Sequence, residues 1–239
     1  MNSWRALAVG FVGLMSLWPL QATGDAQTQE KPPVQMPTMP QPGVPQVITM
    51  EGKFVRASYN NEGYVILGYQ ASNRSVGEEW MLLEVGITVL DKTPDYRLTR
   101  EALSLSTPDD KTIPLPTAVE QREGNPREII QRARVQRDSI NYFPTSAYRA
   151  CAILFFPDLG SRALPYDVVD LSDDRACVGR LFFKIPGGIT YGQHWLNVKF
   201  EKSLVRVPFR IITKDEEKFF EKNYKSIEKQ VKDAFRPKK

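Results

Sequence analysis

His194 is the only histidine in the chain, so any serine nucleophile would have to use it as its base. It stands beside Trp195 at the start of an alternating run, where a surface or hydrogen-bonded histidine is the plainer reading. No Gly-x-Ser-x-Gly turn is present to project a serine. A hydrolase centred on His194 is therefore the third of three readings, and no catalytic residue is expected. Asp167, Asp170, Asp173 and Asp174 fall in one stretch. Hard carboxylate oxygens at such spacing can hold Ca²⁺, but a solvated acidic loop needs no ion and is the reading adopted. No phosphate-cradling glycine loop occurs, and one histidine without a Cys-x-x-Cys pair does not complete a zinc site. We expect no cofactor and no metal. Cys151 and Cys177 are the two cysteines of the chain. In an oxidising compartment such a pair reads as a disulfide, with two buried thiols as the alternative. A bridge requires Cα atoms roughly 4.4–6.8 Å apart. Tyr64, Tyr69, Tyr142, Tyr191 and Trp195 are candidate faces for sugar stacking, so a carbohydrate- or small-ligand-binding module is the second reading.

The elements that would position these residues read mostly as strands. From Cys177 to Ile212 the chain gives three short β-type runs separated by turn chemistry. Leu181, Phe182 and Phe183 end at Pro186-Gly187-Gly188, where proline cannot donate to a ladder. His194 to Phe200 alternates, with Trp195, Asn197 and Lys199 opposite Leu196, Val198 and Phe200. In Leu204 to Ile212, Val205, Val207 and Phe209 share a face opposite Arg206 and Arg210, and Pro208 suggests an edge strand. Upstream, strands are predicted at Phe54–Ser58, Tyr64–Tyr69, Trp80–Leu90, Leu98–Leu105, Thr112–Leu115 and Arg149–Phe156, the last ended by Pro157. Trp80–Leu90 is the strongest of them, with Met81, Leu83, Val85, Ile87 and Val89 on one face. Leu164 to Asp174 reads as an Asp-rich loop.

Two helices interrupt this pattern. Asn125-Pro126-Arg127-Glu128 has the chemistry of a helix start: a capping side chain, a proline first and a carboxylate third. Ile129, Ile130, Ala133 and Val135 then form an apolar stripe. A second helix is predicted from about Asp215 to Phe235, about 30 Å long. In it Phe220, Tyr224, Ile227, Val231 and Phe235 recur at three- and four-residue intervals. That stripe is the candidate interaction face. It covers the protein's own sheets, a partner protein or an anionic membrane.

The first 26 residues read as a secretory signal peptide: Arg5, an apolar run from Ala6 to Leu20, then Ala22, Gly24 and Ala26. Cleavage would leave a mature chain beginning between Asp25 and Gln27, and an uncleaved membrane anchor is the alternative. No cysteine occurs in the first fifty residues, so a lipid-anchored lipoprotein is not expected. Residues 27–46 are rich in Pro and Gln and read as an extended linker. The folded region is expected over 47–213, followed by the helix and basic tail over 214–239. The formal charge is +4. The last 26 residues hold nine Lys/Arg against six Asp/Glu, so most of the excess sits there. We expect no nucleic-acid partner, and any membrane contact would come through the tail helix.

Strands at this spacing argue for an antiparallel sandwich. The order of WMLLEVGIT at 80–88, Leu103-Ser104-Leu105 before the Asp109-Asp110 turn, GRLFFKIP at 179–186 and VRVPF at 205–209 resembles the telokin-like, immunoglobulin-type domains of exported bacterial proteins. The likeness spans roughly residues 50–212. It implies a mainly β, antiparallel immunoglobulin-like β-sandwich here carrying one inserted short helix and a C-terminal amphipathic helix. It also implies structural roles for Trp80, Phe183 and Pro186, and no catalytic residues. The inserted helix, the cysteine pair and the helical tail depart from the pattern. The leading functional expectation is an exported, non-enzymatic module, periplasmic or extracellular, that binds an envelope protein.

Overall fold

The computed structural model describes residues 46–90, 93–135, 137–156 and 165–235. The signal segment, the linker up to Pro45, the cleavage site, Pro157 and the basic residues after Phe235 lie outside them. In chain order the strands and helices are β1 (Val47–Gly52), β2 (Val55–Tyr59), β3 (Gly63–Gly68), α1 (Gln70–Asn73), β4 (Trp80–Val89), β5 (Tyr96–Thr99), β6 (Leu103–Ser106), β7 (Thr112–Pro114), α2 (Ala118–Gly124), α3 (Arg127–Val135), β8 (Arg149–Ile153), β9 (Val168–Leu171), β10 (Arg175–Lys184), β11 (Gly192–Lys199), β12 (Leu204–Ile211) and α4 (Lys214–Ala234). The chain is mainly β. One sheet runs β1-β2-β3-β4-β10-β8, a second runs β12-β11-β6-β7, and β5 pairs with β9. Every described ladder is antiparallel except β10–β8, which is parallel and corrects the all-antiparallel expectation.

Period-two patterning sorts the side chains as read from the sequence. Leu196, Val198 and Phe200 are buried, as are Val205, Val207 and Phe209 on β12. These join Val65, Leu67, Met81, Leu83, Val85, Leu181 and Phe183 in one core shared by the two larger sheets. β12, which contains Pro208, is an edge strand, where a missing N–H costs least. Trp80 and Phe183 are buried, whereas Pro186 is exposed and has no place in the core.

β4 departs from the one-sided expectation: all ten of its residues are buried. Its second face is covered by the segment after α3. There Ile140 and Phe143 pack on Val55, Ala57 and Ile66. The strap sits close because two strand positions lack a side chain. A Cβ on Gly86 would fall 2.6 Å from the Phe143 ring, and one on Gly68 would fall 2.5 Å from the Asp138 Cβ.

Three further readings are corrected. The stretch 98–105 is not one strand: β5 and β6 are separated by a 3-10 turn at Arg100–Ala102. Arg100 is drawn inward there. It donates to the carbonyls of Pro116 and Phe155, pairs with Asp167 at 2.8 Å and stacks on Phe156 at 4.6 Å. The Asp-rich loop contains β9, whose Val169 and Leu171 are buried while Asp170 faces out. The insertion holds two helices. Thr117 and Glu120 form a capping box at the start of α2, and Asn125 closes that helix with φ 45° rather than opening the next. Ile129, Ile130 and Ala133 are buried as read. The tail helix begins at Lys214, where its segment was expected to begin, with a Thr213–Glu216 capping box.

Cys151 and Cys177 form a disulfide, with Cα atoms 4.1 Å apart. That lies just under the expected range, and the two residues are direct ladder partners of β8 and β10. The bridge fits an oxidising compartment. No helix among the described residues is long and apolar enough to cross a membrane.

Candidate functional site

The residues singled out for chemistry are scattered. His194 is fully buried, stacked on Phe209 at 5.4 Å, with Nδ1 3.1 Å from the Gly192 carbonyl. Burial pushes its pKa down, against the opposing pull of the Gly192 carbonyl. Its Nε2 has no hydrogen-bond partner among the described residues. Three of the four aspartates of 167–174 pair instead with arginines: Asp167 with Arg100, Asp170 with Arg97 at 3.5 Å, Asp174 with Arg149 at 3.0 Å. Of the aromatics, Tyr69 is core and Tyr64 stacks on Tyr59. One face of Trp195 is taken by the Arg206 guanidinium at 4.7 Å. Tyr142 and Tyr191 are exposed.

A titratable cluster not read from the sequence lies beneath the strap. Glu84, in the middle of β4, accepts a hydrogen bond from the Asp138 N–H at 2.8 Å and faces Arg180 at 3.6 Å and Arg137 at 3.7 Å. Asp138 in turn accepts from the Gln70 N–H at 2.8 Å. The signal was a lone carboxylate inside WMLLEVGITV, a position that must find partners when both faces are buried. Burial raises the Glu84 pKa against the opposing pull of the Asp138 N–H and the two arginines. Burial raises Asp138 from 3.8 to about 6, the Gln70 N–H opposing it and Glu84 adding to it. Across that window the folded state keeps a proton that the unfolded state has lost, so stability falls as pH rises from about 4 to about 6. Asp138→Asn should remove this slope, worth about 3 kcal/mol. The comparison is wild type against variant across pH by urea denaturation, so that His194, whose lowered pKa acts in the opposite direction, cancels. Parallel stability curves would exclude the assignment.

The tail helix forms one wall of a groove, and of the candidate face Phe235 lines it. Its first half is pinned beside the turn after β1. Lys53 pairs with Glu217 at 2.6 Å and with Glu221 at 2.5 Å, Arg74 pairs with Glu217 at 3.1 Å, and Arg56 lies over the Phe220 ring at 5.8 Å. The helix thus runs beside β1, an edge strand of the six-stranded sheet. Of the candidate face, Phe220, Tyr224, Ile227 and Val231 are half-buried on the protein itself, while Phe235 stays exposed. Phe219 points out on another face and is 64% exposed. Changing Phe220, Ile227 and Val231 together to Ser should therefore lower stability by about 2 kcal/mol and the melting temperature by about 4–8 °C. Calorimetry on the purified chain checks this, and an unchanged transition would mean the helix contributes nothing by packing.

Farther along, the helix and the strand leave a groove of about 400 Å³, walled by Val47, Ile48, Thr49 and Tyr59 on one side and by Lys225, Glu228, Lys229, Lys232, Asp233 and Phe235 on the other. No protein-family model, no curated protein and no solved structure matches this chain.

Proposed function

We propose that the chain is an exported, non-enzymatic module with an immunoglobulin-like sandwich at its centre, acting in the cell envelope by binding another protein along the groove between β1 and α4. The observation that carries the reading is an edge strand with a helix packed beside it, the two leaving a groove along the far half of the helix. Among the described residues β1 has a ladder partner on one side only, and a strand edge flanked by a helix is a known way to receive a polypeptide. The disulfide supports an exported location. The burial of His194 argues against a hydrolase built on it, because a general base must reach its substrate. The test is retention of an envelope protein from detergent-solubilised membranes by the immobilised full chain. Lys225→Glu with Lys229→Glu should abolish retention without changing the melting temperature. Equal retention by both proteins would overturn the reading.

A further inference from the structure

The groove has chemistry on both walls, and this deepens the reading above, on which it rests. One wall is the rim of β1, whose outward backbone groups can continue a ladder about 4.8 Å away. The other wall carries Lys225, Lys229 and Lys232, spaced by four and three residues and so on one side of the helix. Lys232 is held by Glu228 at 2.8 Å. Lys225 and Lys229 have no ion-pair partner among the described residues. Three lysines against Glu228 and Asp233 leave the lining at +1.

We propose that this groove takes an extended, acidic segment of the partner protein, which adds to β1 as a further strand. Side chains on one face of the added strand would meet Val47, Tyr59 and Phe235, and alternate acidic side chains would reach Lys225 and Lys229. A second copy of the chain is disfavoured by charge, since pairing two β1 edges would set two lysine rows against each other. The linker of this chain is a poor occupant as well. Six prolines fall between residues 32 and 45, and 27–45 carries one Glu against one Lys, so it can neither sustain a ladder nor match the lysines.

The experiment uses the full, disulfide-bonded chain, isotopically labelled for NMR. The probe is a synthetic eight-residue peptide alternating Glu and Val. Saturable shifts are expected at Val47, Thr49, Lys225 and Lys229. Affinity should fall about tenfold in Lys225→Glu/Lys229→Glu, and a peptide N-methylated at every residue should not bind. Three results would overturn the proposal: equal binding of a Lys/Val peptide, undiminished binding of the N-methylated peptide, or response to phosphatidylglycerol vesicles alone. If the Glu/Val peptide fails while the charge-reversed chain still loses its envelope protein, the acidic strand is wrong and the protein-binding reading stands. If both fail, both are wrong.

Discussion

Replacing Glu84 by Ala should destabilise the protein by about 2–3 kcal/mol, the cost of removing a buried carboxylate that accepts from the Asp138 N–H and faces Arg180. The side chain of Arg180 is 11% exposed and that of Glu84 10%, so neither charge can turn to water without moving the strap. The substitution also strips the Asp138 N–H of its acceptor. That loosens the segment which carries Ile140 and Phe143 onto β2 and β3. Glu84→Gln keeps the volume and one acceptor oxygen and should cost clearly less. Urea denaturation of the two variants measures the difference. A Glu84→Ala cost below about 1 kcal/mol would place these charges among ordinary surface pairs.

The disulfide carries the second large effect. Cys151 and Cys177 close a loop of 26 residues, for which the chain-entropy estimate is about 3–4 kcal/mol. The position raises its importance, because among the described residues β8 is an edge strand whose one ladder partner is β10. In the Cys151→Ser/Cys177→Ser variant we expect that loss in denaturant, and faster amide exchange over 149–153 before the rest of the sheet. The native protein should not react with a thiol reagent until reduced. Reactive thiols in the purified native protein, or a variant as stable as the parent, would contradict the account.

How far the sequence revealed the fold depended on whether a local pattern had one physical meaning. Alternation around Leu196-Val198-Phe200 and Val205-Val207-Phe209 did, and those strands and their buried faces were read as they occur. The run at 80–89 did not: an all-apolar strand is equally consistent with one covered face or two, and what covers the second face lies over fifty residues downstream. The clue was Glu84, a carboxylate that such a run would not tolerate without partners. β9 was hidden because Asp167, Asp170, Asp173 and Asp174 read as solvent-facing loop. Only Val169 and Leu171, placed against β5, make it a strand. Thr117 and Glu120 carry the local signal that starts α2, whereas Asn125-Pro126 is the junction between two helices. The cysteine pair was legible from number and compartment, but its parallel ladder was not. Of the candidate site, the apolar stripe of the tail helix was read by periodicity. That most of the stripe rests on the protein itself, leaving Lys225 and Lys229 facing β1, required knowing which strand forms the sheet edge.

The most direct test of the groove as a protein-binding surface is photocrosslinking in intact cells. A photoreactive residue replaces Thr49 on β1 in one strain and Val178, exposed on β10, in another. The account predicts a discrete protein adduct from position 49, lost when Lys225 and Lys229 are changed to Glu, and none from position 178. An adduct from 178 with none from 49 would contradict it.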